Sequence, residues 1–142
     1  MTEHTQKSKT WHVVLWIAQI LLAGMFLMVG FTKTFTPLPE LTQSIPIAAD
    51  VPLLIRFIGI SELAGGIGLL LPAALRVLPR LTVTAAYALG LVMVLALVFH
   101  AWRGEYPAIP TNIVLGGVAF LIGWGRTSKA PIPAKTQTIH SS

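Results

Sequence analysis

The 142-residue sequence contains no cysteine, which excludes disulfides, thiolate metal sites and dithiol exchange of the CxxC type. Charged residues are also scarce, since they make up 11% of the chain against about 25% in soluble domains. Hydrophobic residues reach 54%, and the mean hydropathy is +0.75. We therefore expect one small integral membrane domain. The net charge of +5 comes without a basic face carrying interleaved aromatics, so nucleic acid is not an expected partner.

Four apolar segments approach the length of about 20 residues that a helix needs to cross the hydrocarbon core. They are Val13–Phe31, Val51–Leu71, Leu81–Phe99 and Ile109–Trp124. The predicted fold is all-α, an antiparallel bundle of four transmembrane helices over residues 11–126. Residues 1–10 and 127–142 are expected to be disordered tails. The protein should be a multi-pass component of a lipid bilayer, the cytoplasmic membrane if its source is prokaryotic.

The distribution of Lys and Arg predicts the orientation of the bundle. One side carries both termini and the second loop, with Lys7, Lys9, Arg76, Arg80, Arg126, Lys129 and Lys135. The other side carries Lys33 and Arg103. Both termini are therefore expected to be cytoplasmic.

Small residues recur at spacings of three and four along every span, a pattern typical of helix–helix contacts in membranes. Polar residues share these faces: Gln19 and Lys33 on the first helix, Glu62 on the second, His100 on the third, and Asn112 and Arg126 on the fourth. If the small faces pack inward, then Lys33, Glu62, His100 and Asn112 point into the bundle. Lys33, Glu62 and His100 are then expected to converge in a polar pocket open to the outer side.

Glu62 is the most unusual of these residues, because it lies near the middle of an apolar span. A charged side chain there costs about 2.5–3.5 kcal/mol on insertion scales and usually has a partner and a function. We predict a site with Glu62 in the catalytic role and with ligand-binding residues Lys33, Arg56, His100 and Asn112. No metal site is expected, because His12 and His100 border opposite faces of the membrane.

Each site residue also has a purely structural interpretation. Glu62 would then be protonated, or paired only to hold the bundle together. Lys33 and His100 would be interfacial anchors, Arg56 would reach toward the headgroups, and Asn112 would cap the fourth helix.

The order of these residues resembles the DoxX-like family of small four-helix membrane proteins. The resemblance runs from about Leu15 to Gly123. Its motifs are GFTK at 30–33, RFIGISELAGG at 56–66, LLLP at 69–72, FH at 99–100, RGE at 103–105 and Asn112. It implies a role beside membrane oxidoreductases, because founding members are similar to subunits of a thiosulfate:quinone oxidoreductase. Other members associate with redox-stress enzymes, and distant relatives resemble assembly chaperones for membrane receptors.

Three functions follow as hypotheses. The first is a subunit or accessory of a membrane redox system that binds a quinone-like ligand, holds no cofactor of its own and adjoins an oxidoreductase subunit or a second copy of itself. Whether such a subunit is itself an enzyme stays open. The second is a non-enzymatic scaffold or assembly factor. The third is a proton-coupled exporter, although small multidrug transporters carry their glutamate in the first helix, where this chain has Gln19.

Overall fold

The computed structural model describes residues 2–135, and within this range all regular secondary structure is helical. The five α-helices are α1 (Thr2–Phe35), α2 (Leu38–Ser44), α3 (Pro52–Leu75), α4 (Arg80–Trp102) and α5 (Ile109–Ser128). Short 3-10 helices at Pro46–Ala49 and Tyr106–Ala108 precede α3 and α5. The long helices α1, α3, α4 and α5 are each long and apolar enough to cross a membrane, which confirms the predicted four-span fold.

The four long helices form an antiparallel bundle in which neighbours in the chain are neighbours in space. α1 packs against α3 and α5, and α4 packs against the same two helices, so α1 and α4 lie diagonally opposite. The central core is apolar, with Leu15, Phe26, Leu69, Leu89 and Ile122 almost fully buried.

Most of the surface of the spans faces outward. Only 28–33% of the most apolar stretch of each span is buried within the chain. Large apolar side chains cover the rest, among them Leu21, Phe57, Leu95 and Val114. Since so much apolar surface is not stable in water, the protein is a multi-pass integral membrane protein whose helices contact the bilayer.

The helices extend into both segments that were expected to be tails. α1 already begins at Thr2, and Thr10 Oγ1 donates to the carbonyl of Gln6 at 3.1 Å. Lys, Gln and Glu are good helix formers, so the helix continues beyond the apolar run. α5 ends at Ser128, and the chain then returns to the α3–α4 turn, where Lys135 N donates to the carbonyl of Arg76 at 2.9 Å. Residues 136–142 of the predicted tail lie outside the described range.

α3 passes through Pro72 and ends three residues later at Leu75. Proline has no N–H for the carbonyl one turn before it, which weakens the helix there. Arg76 then adopts a left-handed conformation with φ of 56°, a cap position that glycine usually occupies.

The segment between α1 and α3 packs against the start of α3. α2 and the 3-10 helix that follows it bury Leu41 and Ala48 against Ile55 of α3. This small apolar cluster lies at the end of the bundle where Lys33 of α1 and Arg56 of α3 meet.

Candidate functional site

Lys33 and Glu62 form an ion pair between α1 and α3. Lys33 Nζ lies 2.7 Å from Glu62 Oε1. The Glu62 side chain is 2% exposed and that of Lys33 is 17% exposed. The carboxylate is therefore sealed within the bundle, whereas the Lys33 side chain, near the C-terminal end of α1, keeps a small exposed fraction.

Two glycines allow this pair to form, because they bring the backbones of α1 and α3 close together. A Cβ atom on Gly30 would lie 2.8 Å from the carbonyl oxygen of Gly59. A Cβ atom on Gly59 would lie 2.7 Å from both Lys33 Cβ and Thr34 Oγ1. Since real Cβ atoms do not approach so closely, both positions require glycine. Each glycine precedes its charged residue by three positions, so one helical face carries both the contact and the pair.

Arg56 binds the C-terminal end of α1. Its Nη1 donates to the carbonyl of Lys33 at 2.7 Å, and its Nη2 donates to the carbonyl of Thr36 at 2.6 Å. The last carbonyls of a helix have no partner within it, and a cation there also offsets the helix dipole. Arg56 thus holds the turn that carries Lys33, with one hydrogen bond from each of its two terminal nitrogens.

Two buried oxygens at this site have no hydrogen-bond partner within residues 2–135. They are Glu62 Oε2 and Thr34 Oγ1. Thr34 follows Lys33 directly, and its hydroxyl lies against Gly59 on the same interface. The site therefore offers an ammonium donor, a free carboxylate oxygen and a hydroxyl.

His100 does not join this cluster. Its Nδ1 lies 2.6 Å from Glu105 Oε2, and Arg103 Nε donates to Glu105 Oε1 at 2.7 Å. The Arg103 hydrogen bond, and then that of His100, hold the pKa of the exposed Glu105 carboxyl below its ordinary value. Within the described part of the chain, no hydrogen bond links His100 to Lys33 or Glu62. α4 lies diagonally across the bundle from Lys33 on α1, and His100 contacts Glu105 instead of Glu62 on the neighbouring α3. The expected convergence of the three residues is therefore not what the structure has.

Asn112 lies inside α5, one turn after the helix begins at Ile109, so it does not cap this helix. Its Nδ2 is buried, with no partner among residues 2–135. Among residues 2–135, no hydrogen bond connects it with Lys33 or Glu62.

A second polar cluster at the opposite end of the bundle was not predicted as a site. Arg126 of α5 is 3% exposed, and its Nε donates to Gln19 Oε1 at 2.5 Å. Gln19 Nε2 in turn donates to the carbonyl of Leu69 at 2.7 Å, which links α5, α1 and α3. The sequence signal was present, because Gln19 and Arg126 both lie on small-residue faces. Arg126 was instead counted as a loop charge that sets orientation.

The comparisons agree with this architecture. A profile of the DoxX-like family matches residues 17–122, which span all four long helices and both Lys33 and Glu62. Neither the curated proteins nor the solved structures compared with the chain give a significant match. Because the family match covers most of the chain and the helices have the expected number and order, the protein belongs to the DoxX-like family.

Proposed function

We propose that this protein is a subunit or accessory of a membrane redox system and binds a quinone-like ligand at the Lys33–Glu62 pair. The observation that carries the proposal is that this pair has hydrogen-bonding capacity left unused. Glu62 Oε2 is buried without a partner, and Lys33 Nζ makes one hydrogen bond although an ammonium can donate three. Buried polar atoms in this state are uncommon and favour a ligand that completes them.

A quinone suits the groups present. Its ring and tail are apolar and reach the site from the bilayer, and its carbonyl oxygen accepts a hydrogen bond from Lys33. Reduction to the quinol takes up two electrons and two protons. In this proposal the electrons come from a partner oxidoreductase, the Lys33–Glu62 pair relays one proton to a quinone oxygen, and water supplies the second proton to the other oxygen.

The glycine contact limits where the ligand binds. α1 and α3 touch at Gly30 and Gly59, so no ligand fits between the two backbones at that level. In this proposal the ligand head approaches the exposed part of the Lys33 side chain from the lipid side. It lies next to the apolar cluster that α2 forms with α3. In this arrangement Arg56 is a positioning residue and His100 is not a ligand.

Thermal unfolding of the purified protein with and without a short-chain quinone tests the proposal. Ligand that binds the native state raises the unfolding midpoint by mass action. We expect a rise for the wild type, loss of that rise in Glu62→Gln, and a full rise in Glu105→Gln. The last variant is the matched control, because it makes the same change in an exposed glutamate on the outer side.

A scaffold or assembly factor is the second candidate. It is favoured by the way in which Lys33, Glu62 and Arg56 all connect α1 to α3, as residues that only hold the bundle would do. No quinone-dependent rise in the wild type, combined with equal recovery of partner proteins by wild type and Glu62→Ala, would support this function over the first.

A further inference from the structure

Arg126 is a buried cation without a counter-charge. It lies in the last turn of α5, at the opposite end of the bundle from Lys33. Its Nε and Nη1 donate to neutral oxygens, Gln19 Oε1 and the carbonyl of Ala130, and within residues 2–135 no carboxylate forms an ion pair with it. Burial of an unpaired charge is strongly unfavourable, so an anion that reaches the guanidinium would be stabilising.

The guanidinium also has donor capacity left over. Arg126 Nη2 is buried and has no hydrogen-bond partner in the described range. Nη1 approaches His12 Nδ1 at 3.1 Å, while Trp16 Nε1 donates to His12 Nε2, also at 3.1 Å. Trp and Arg can only donate, and a neutral imidazole has one acceptor nitrogen. At most one of the two contacts to His12 is therefore a hydrogen bond.

A cavity lies next to His12 and Ala130, the two residues that contact Arg126 Nη1. Its volume is about 370 Å³, within the range of about 300–1,000 Å³ typical of small-molecule sites. His12 and Ala130, both in contact with Arg126 Nη1, form part of its wall. Lys9 and Ser8 form another part and bring an ammonium and a hydroxyl.

The surroundings favour an anion. Lys7, Lys9, Arg76, Arg80 and Lys129 belong to this end of the bundle, and among the described residues Glu3 is the one acidic side chain there. A surface with one sign of charge raises the local concentration of the opposite ion.

We propose that this cavity is a phosphate-binding site, formed by Lys9 and Ser8 at its wall and by Arg126 behind His12 and Ala130. A phosphate group accepts several hydrogen bonds at once, which matches the forked guanidinium, the ammonium of Lys9 and the hydroxyl of Ser8. Along α1, Gln19 lies about 21 Å from Lys33 at a rise of about 1.5 Å per residue, so the site is separate from the ion pair and independent of the proposed redox role. The phosphate belongs either to an anionic phospholipid headgroup of the adjacent leaflet or to a soluble phosphate compound.

The test measures the unfolding midpoint of the full-length protein in neutral detergent against two probes. One is dioctanoyl phosphatidylglycerol, with dioctanoyl phosphatidylcholine as the zwitterionic comparison. The other is inorganic phosphate, with chloride at matched ionic strength. A rise of about 3 °C or more at saturation is expected with one of them. A rise of the unfolding midpoint with phosphatidylglycerol alone identifies a lipid headgroup. A rise with inorganic phosphate identifies a soluble ligand.

Two variants distinguish binding at this site from a general effect of surface charge. Arg126→Gln should remove the rise, whereas Lys129→Gln, an exposed neighbour in sequence, should keep it. No rise with either probe in the wild type overturns the proposal, and so does an equal rise in Arg126→Gln.

If Arg126→Gln does not fold, Lys9→Gln decides instead. Lys9 is exposed, and Lys9→Gln should raise the probe concentration that gives half of the full stabilisation by about threefold or more. Lys129→Gln should leave this concentration unchanged. Equal effects of the two lysine variants overturn the proposal, because they would reflect surface charge alone.

Discussion

Lys33 Nζ and Glu62 Oε1, 2.7 Å apart, form the one ion pair that joins two long helices within residues 2–135. The two partners differ in their access to water, since the lysine is 17% exposed and the glutamate 2%. This asymmetry determines what each substitution should cost.

Lys33→Met should destabilise the protein more than Glu62→Leu. The first change leaves a carboxylate that cannot reach water, at a cost of about 3 kcal/mol. The second leaves a lysine that can extend its ammonium toward the headgroups. The double variant should lose less free energy of unfolding than the two single variants lose together. Unfolding in mixed micelles measures all three, and strictly additive effects would contradict a coupled pair.

Gly59→Ala should destabilise the bundle by about 1–3 kcal/mol, because the added methyl group meets Lys33 Cβ and Thr34 Oγ1 at 2.7 Å. Gly24→Ala is the matched control, since nothing lies within 4 Å of its added Cβ and alanine is the better helix former. The same unfolding assay compares the two variants. Equal effects would show that the α1–α3 contact is looser than described.

Arg56→Gln should lower stability by about 1.5–3 kcal/mol, because two charged hydrogen bonds to the α1 carbonyls are lost. Amide hydrogen exchange around residues 33–36 should accelerate. Arg103→Gln is the control, as its ion pair is exposed and therefore contributes little to stability. Unchanged exchange at the end of α1 in Arg56→Gln would exclude the capping role.

The Glu105 carboxyl should titrate below its ordinary pKa of 4.5, because Arg103 and then His100 hydrogen-bond its charged form. A depressed pKa in the folded state gives stability that is complete above pH 4.5 and is lost as the pH falls through the lowered value. Carboxyl carbon NMR of the wild type and of Arg103→Gln measures the shift. The variant should titrate closer to 4.5, and a wild-type carboxyl that titrates at or above 4.5 would refute the contact.

The sequence predicted some parts of this site and missed others for physical reasons. Glu62 was recognisable because a carboxylate in an apolar span is costly, and the small-residue faces placed it toward Lys33. The separation of His100 from this pair was not predictable, because spacing along a helix says neither that α4 lies diagonal to α1 nor that His100 contacts Glu105. Burial of Arg126 was missed as well, since a basic residue at the end of a span is usually an orientation signal.

The sequence by itself determined the class of protein, the number of spans and the family, because hydropathy, length and motif order are local properties of the chain. The orientation predicted from Lys and Arg stays a prediction. Only the tertiary structure decided which polar groups are paired. Close approach at Gly30 and Gly59 joins Lys33 to Glu62, and the packing of α5 on α1 buries Arg126 beside Gln19. Such pairings depend on how helices distant in sequence are arranged around the core, and no single span contains that information.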